Sequence, residues 1–159
     1  SNLKLASGYA NVPKMLESGI NVALGTDGAA SNHNLNIMQD MYLFGVVYKG
    51  YFRDPTIITP AEVLHAATRA GALSQGRDDS GLLAVGMRAD LCVLNTDTPQ
   101  FTPMTSAACN VVYAAQGADI RMTMVDGEVL YRDGEFKTID IEKVKAEVQR
   151  RTDSILSRL

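Results

Sequence analysis

The spacing of apolar residues changes several times along the chain, and each change marks a predicted element. Residues 12–18 carry apolar positions at helical spacing. Pro13 suits a first turn and Gly19 follows the end, so a short helix is predicted there. Residues 20–25 then form an apolar run rich in strand formers, Val22 and Leu24, too short for a stable helix and read as a buried strand. The run stops on a carboxylate, Asp27, between Thr26 and Gly28, and a polar loop continues to Asn34. With Asn34 as cap, Leu35, Met38, Met41, Tyr42, Gly45 and Val46 recur at helical intervals and predict a helix from Leu35 to about Tyr51. Thr59-Pro60-Ala61-Glu62 is a capping-box start for a second long helix reaching about Ala70, where Gly71 loosens it. A further turn over residues 72–75 stops at Gly76.

Beyond Gly76 the pattern shifts. Residues 77–81 read as a polar, mobile link. Short β-type runs follow at residues 91–94, 110–115, 121–125 and 128–132, with Asp126-Gly127 a strong hairpin signal and Asp133-Gly134 a second turn. Ile141, Val144, Val148, Ile155 and Leu159 share one face of a charged terminal helix, whose other face (Glu142, Lys143, Lys145, Glu147) is solvated. The order is α/β to about Gln75, mostly β over residues 82–137, then a closing helix. One strand cannot make a sheet. Either residues 20–25 pair with the downstream β segments, or the chain is part of something larger.

Composition narrows the function classes. Of 159 residues 46% are hydrophobic, enough for a core, and the net charge is −3 with no Lys/Arg block. Neither a nucleic-acid face nor a membrane span is predicted. Cys92 and Cys109 lack CxxC spacing and read as reduced, buried thiols of a cytoplasmic protein.

The candidate chemistry centres on Asp27. An unpaired carboxylate at the end of a buried strand costs several kcal/mol, so a metal ion, a cation or a substrate is expected to meet it. In (β/α) barrels that strand end carries the chemistry. The alternative is a loop acid capping the helix near Leu35. The two histidines, His33 and His65, form neither HxH nor HExxH spacing, and a catalytic zinc usually takes three protein ligands. His65 reads as a packed or partly exposed helical residue.

Four stretches together resemble the amidohydrolase superfamily, in its chlorohydrolase and aminohydrolase branch: SNLKLASG at residues 1–8, VALGTDGAASN at 22–32, TPAEVLHAATRAGA at 59–72 and GMRADLCVLN at 86–95. That branch includes 5'-methylthioadenosine/S-adenosylhomocysteine deaminases and triazine hydrolases. The resemblance implies an α/β fold, the C-terminal part of a (β/α)8 metal-dependent hydrolase barrel plus a small β domain and a terminal helix. Its divisions are residues 1–80 for the last barrel strand and helices, 81–137 for the β domain and 138–159 for the helix. A whole barrel takes about 250 residues, so a fragment of a longer protein is expected.

The resemblance also implies a role for particular residues. Asp27 matches the aspartate that closes the shell of one divalent metal, zinc or iron, and accepts the proton of the attacking water. Ser31 matches a serine that touches substrate, or serves as a turn residue. Asn2 matches a loop asparagine at the site's mouth, with a structural hydrogen bond as the alternative. His33 contacts substrate or is solvated. Arg88 and Asp90 are expected to tie a turn to the neighbouring strand. Asn36 and Gln39 stand where the family commonly has acidic residues. The expected reaction is hydrolytic deamination of an adenosine-like or other N-heterocyclic substrate by the complete protein, with the isolated chain inactive and binding no metal tightly. A triazine chlorohydrolase, a guanine deaminase-like enzyme and a non-catalytic interaction module are the alternatives. Exposed apolar faces of an opened barrel predict a homo-oligomer.

Overall fold

The computed structural model describes residues 1–158. Helix α1 (Val12–Glu17) begins with Asn11 accepting from the Lys14 amide and Pro13 in its first turn. After it, residues 20–28 form neither helix nor strand and belong to no ladder among the described residues. The predicted strand is therefore absent: the downstream β segments pair only with one another and leave this run without partners. What fixes the run is side-chain packing. Val22 and Leu24 lie half-buried against the core, and the Leu24 amide donates to the Ala66 carbonyl at 2.8 Å.

A four-residue helix, α2 (Ala29–Asn32), precedes the long α3 (Ile37–Phe52). The cap of α3 is Asn36, whose side chain accepts from the Met38 amide, rather than Asn34. Asn34 bonds instead to the Gln39 side chain and, through Oδ1, to the Asn36 amide. Met38, Met41, Phe44 and Tyr48 recur on one buried face of α3, while Tyr42, another of the helical-interval positions, is exposed and meets Tyr113 edge-on. The Thr59–Glu62 capping box is present at the start of α4 (Pro60–Ala67). The break before α5 (Arg69–Ser74) falls at Thr68, not at Gly71; the Thr68 hydroxyl donates back to the Leu64 carbonyl at 2.6 Å.

Residues 77–81, predicted as a loose link, are pinned. Arg69 Nη1 donates to the carbonyls of Asp78 and Ser80 at 3.0 and 2.5 Å, and Ser80 is buried. Gly81 has φ +84, and a Cβ there would lie 2.7 Å from Arg69 Cα. Only glycine fits that approach in that conformation.

Strands β1 (Leu91–Leu94), β2 (Ile120–Val125), β3 (Glu128–Arg132) and β4 (Glu135–Phe136) form one antiparallel sheet in sequence order. Asp126 and Gly127 both have positive φ in the β2–β3 turn, as a tight hairpin requires. Residues 110–115 are not a strand. They lie mostly in α6 (Ala107–Tyr113), capped by the Ser106 side chain and packed on α3 and α4, with Val112 fully buried. The core thus joins α3, α4 and α6 around Val63, Phe101 and Val112. Cys109 is half-buried and Cys92 exposed, so the expectation of two buried thiols fails for Cys92, which lies on the sheet; both are free. The terminal helix is α7 (Ile141–Leu156); Ile141, Val144, Val148 and Ile155 are all exposed, and Leu159 lies outside the described residues.

Asp90 ties the sheet to the preceding turn. Its Oδ1 accepts from the Asp126 amide at 2.7 Å, Arg88 and Arg77 lie at 3.6 and 3.5 Å from Oδ2, and Arg88 also reaches Asp126 at 3.3 Å. The Asp126 amide above all, then Arg88, holds the Asp90 carboxyl below its usual range. Because the folded value lies below the unfolded one, the contribution is present above about pH 4 and is lost as pH falls through the lowered folded value. Asp90→Asn is therefore expected to destabilise the chain at neutral pH, with the gap from the native chain narrowing below about pH 4. Urea unfolding across a pH series checks this; a gap independent of pH would show that the charge is immaterial.

Candidate functional site

The irregular run at residues 20–28 carries Asp27 next to the cleft it helps to line. Asp27 has φ +61, a left-handed conformation that Asp tolerates better than most residues. Its side chain is exposed, not buried as the sequence pattern implied, because the run has no neighbouring strands to enclose it. Oδ1 accepts from the Gly28 amide at 2.7 Å and Oδ2 from the Ser1 hydroxyl at 2.6 Å. These bonds, the Ser1 hydroxyl first and the Gly28 amide second, hold its carboxyl below the usual range. No arginine, lysine or histidine is ion-paired with Asp27 among the described residues. The carboxylate lacks an ion-pair partner, as expected, but on an open surface it carries no burial cost, so that ground for a cation or substrate meeting it falls away.

Asp27 opens onto a cleft of about 690 Å³ whose lining includes Asn2, Lys4, Asn32, Asp40 and Tyr48. Asn2 therefore shares the cleft with Asp27. Ser31 and His33 do not line it; they follow on α2 and at its C-terminal end, joined to the opening turn through Lys4. Asn32 donates to the Thr26 carbonyl at 2.6 Å, closing the loop behind Asp27. His65 is exposed on α4, away from the cleft lining.

Three site residues escaped the sequence reading: Ser1, Lys4 and Asp40. Partial burial raises the Asp40 carboxyl, so the cleft holds two carboxyls pushed in opposite directions. Ser1 and Lys4 lie in the 1–8 stretch that carries the resemblance, but a hydroxyl and a charged residue in a loop ordinarily read as solvated. Nothing in the periodicity marks Asp40, one polar position of a helix.

The chain's own donors do not make a metal site. Among the described residues no three His, Cys, Asp or Glu side chains converge, whereas a catalytic zinc takes three protein ligands. The carboxyls this chain brings to the cleft are Asp40 and Asp27, the latter with its oxygens already bonded to Ser1 and Gly28.

Residues 1–130 match the Amidohydrolase family. The chain belongs to that family. Among amidohydrolase relatives, a 5-methylthioadenosine/S-adenosylhomocysteine deaminase of Acetivibrio thermocellus is 44% identical over 157 residues, 98% of this chain and 36% of the relative. A 5'-deoxyadenosine deaminase of Methanosarcina mazei is 40% identical over 159 residues, with 100% and 37% covered. In structure, the chain is similar to a zinc-bound adenosine deaminase from Xanthomonas campestris, with a TM-score of 0.94 and 29% identity over 98% of this chain and 36% of that one. A zinc complex of atrazine chlorohydrolase from Arthrobacter aurescens gives 0.84 and 27%, covering 94% and 33%. The chain thus spans about a third of the length of the proteins it matches. These neighbours have the amidohydrolase barrel, which bears out the α/β fold class: helices of the barrel's C-terminal part with a small antiparallel sheet and a closing helix. No helix among the described residues is long and apolar enough to cross a membrane.

Proposed function

We propose that this chain supplies the aspartate of a metal-dependent hydrolase, and that the complete protein deaminates an adenosine-like or other N-heterocyclic substrate. The observation that carries the reading is the 44% identity to a named deaminase across 98% of the chain, including the segment ending in Asp27. A bound divalent metal, zinc in the neighbours described and zinc or iron in this reading, brings the pKa of water down toward neutrality. Its imidazole ligands belong to a part of the protein outside this chain. Asp27, ionised and exposed at a cleft, is the metal ligand and the proton acceptor; Oδ2 becomes free for either task when the Ser1 hydroxyl turns away. Asn2, Ser31 and His33 are the substrate contacts of this reading; Asn2 lines the cleft, whereas Ser31 and His33 lie outside its lining, on and just after α2. The domain division at about residues 80 and 137, a homo-oligomeric state and a cytoplasmic location belong to the same reading. Exposed apolar residues such as Leu83 and Val85 support association, and the two free cysteines support a reducing compartment.

A second reading, triazine dechlorination, is favoured by the 0.84 structural likeness to atrazine chlorohydrolase, but the identity is only 27%. The complete protein, assayed with 5'-methylthioadenosine, S-adenosylhomocysteine, 5'-deoxyadenosine and atrazine, separates the two. Ammonia release from the adenosine-like compounds is expected. Chloride release from atrazine without it would replace the first reading by the second.

A further inference from the structure

Lys4 has an unusual set of partners. Its Nζ donates to the Ser31 carbonyl at 2.6 Å and lies 2.6 Å from His33 Nδ1. Among the described residues it has no carboxylate partner. An ammonium has three donors and no acceptor. At this contact the imidazole nitrogen must accept, which puts the His33 proton on Nε2.

The backbone gives the contact its meaning. Asp27 at φ +61 and His33 at φ +67 bracket the four-residue helix α2. Non-glycine residues hold such conformations only where surrounding contacts impose them. Both ends are held by the same turn, closed by hydrogen bonds from the Leu5 amide to the Ser1 carbonyl at 2.9 Å and from the Ser7 amide to the Asn2 carbonyl at 3.0 Å. Ser1 holds Asp27 and Lys4 holds His33 and the Ser31 carbonyl. One small unit of chain thus pins both ends of the loop that carries three of the four proposed site residues.

We propose that Lys4 is a positioning residue that fixes residues 31–33 and sets His33 in the Nε2–H tautomer. The free donor this leaves on the ring suits the hydroxyl and ring-nitrogen acceptors of a nucleoside-type ligand, a consequence that rests on the deaminase reading. Histidine-selective 15N NMR of the chain tests the tautomer, with exposed His65 as the internal reference. His33 is expected to show an unprotonated Nδ1 and a protonated Nε2. Lys4→Met is expected to collapse this to averaged, His65-like signals, and Lys4→Arg to restore it; an unchanged methyl spectrum certifies the fold of each variant. His65-like signals in the unaltered chain, or indifference to Lys4→Met, overturn the proposal. In the complete enzyme, Lys4→Met is expected to raise KM about tenfold while kcat stays within about threefold, with Lys4→Arg recovering most of the loss. An unchanged KM in an active enzyme overturns the positioning role. A complete protein without deaminase activity would remove the substrate assignment and leave the NMR result standing.

Discussion

Asp27→Asn in the complete protein is expected to lower kcat/KM for deamination by about a thousandfold or more, the scale seen when a charged member of a catalytic constellation is removed. Asparagine keeps the side chain's size and retains an oxygen for the Gly28 amide at 2.7 Å. It removes the negative charge and the second carboxylate oxygen, now bonded to Ser1. Both proposed duties, holding a cation and taking a proton, need that charge. The change lies on an exposed residue with no ion-pair partner among those described, so the fold should not suffer. Steady-state kinetics with a thermal melt on the same preparation separate lost chemistry from lost structure. Activity within tenfold of the native protein, with an unchanged melt, would rule out Asp27 as the working carboxylate.

The second large effect is on stability. Phe101→Ala is expected to cost about 3–5 kcal/mol, the range for emptying a buried aromatic site. Phe101 is 1% exposed and lies in the core with Val63 of α4 and Val112 of α6. Its carbonyl also accepts from Asn110 of α6 at 3.2 Å, so the site has little freedom to collapse around the void. Against a total of about 5–15 kcal/mol for ordinary domains, that loss removes a large share of the folding free energy. Urea unfolding measures it, and a cost below about 1 kcal/mol would mean that the core relaxes freely. Phe101→Leu, which refills much of the volume, is expected to recover most of the difference.

What could be read from sequence was what short-range chemistry decides. The capping box at Thr59 and Glu62 and the Asp126-Gly127 hairpin each need only a few neighbouring residues, and each is present. The tie made by Arg88 and Asp90 reaches across to Asp126 and was implied by the resemblance, not by spacing. Residues 110–115 were misread because Val111, Val112 and Tyr113 favour strands locally. The Ser106 cap and the burial of Val112 against α3 and α4 outweigh that preference. The same limit explains residues 20–25. The apolar run of strand formers pointed to a strand, whereas a strand also needs partners elsewhere in the fold. At the site, Asp27 was legible because a charge at the end of an apolar run is conspicuous. Lys4 was not, since its role depends on reaching Ser31 and His33, 27 and 29 residues away. Pairings of that kind follow from the folded path and not from spacing.

The irregular run at residues 20–25 has a final implication. Apart from the Leu24 and Ile20 amides, which reach the Ala66 and Met15 carbonyls, its main-chain groups make no backbone hydrogen bond among the described residues. Peptide groups tolerate dehydration only when another partner replaces the solvent. Any surroundings that dry this run must therefore offer it hydrogen-bond donors and acceptors, from backbone or from side chains, as the Asn32 side-chain amide already does for the adjoining Thr26 carbonyl.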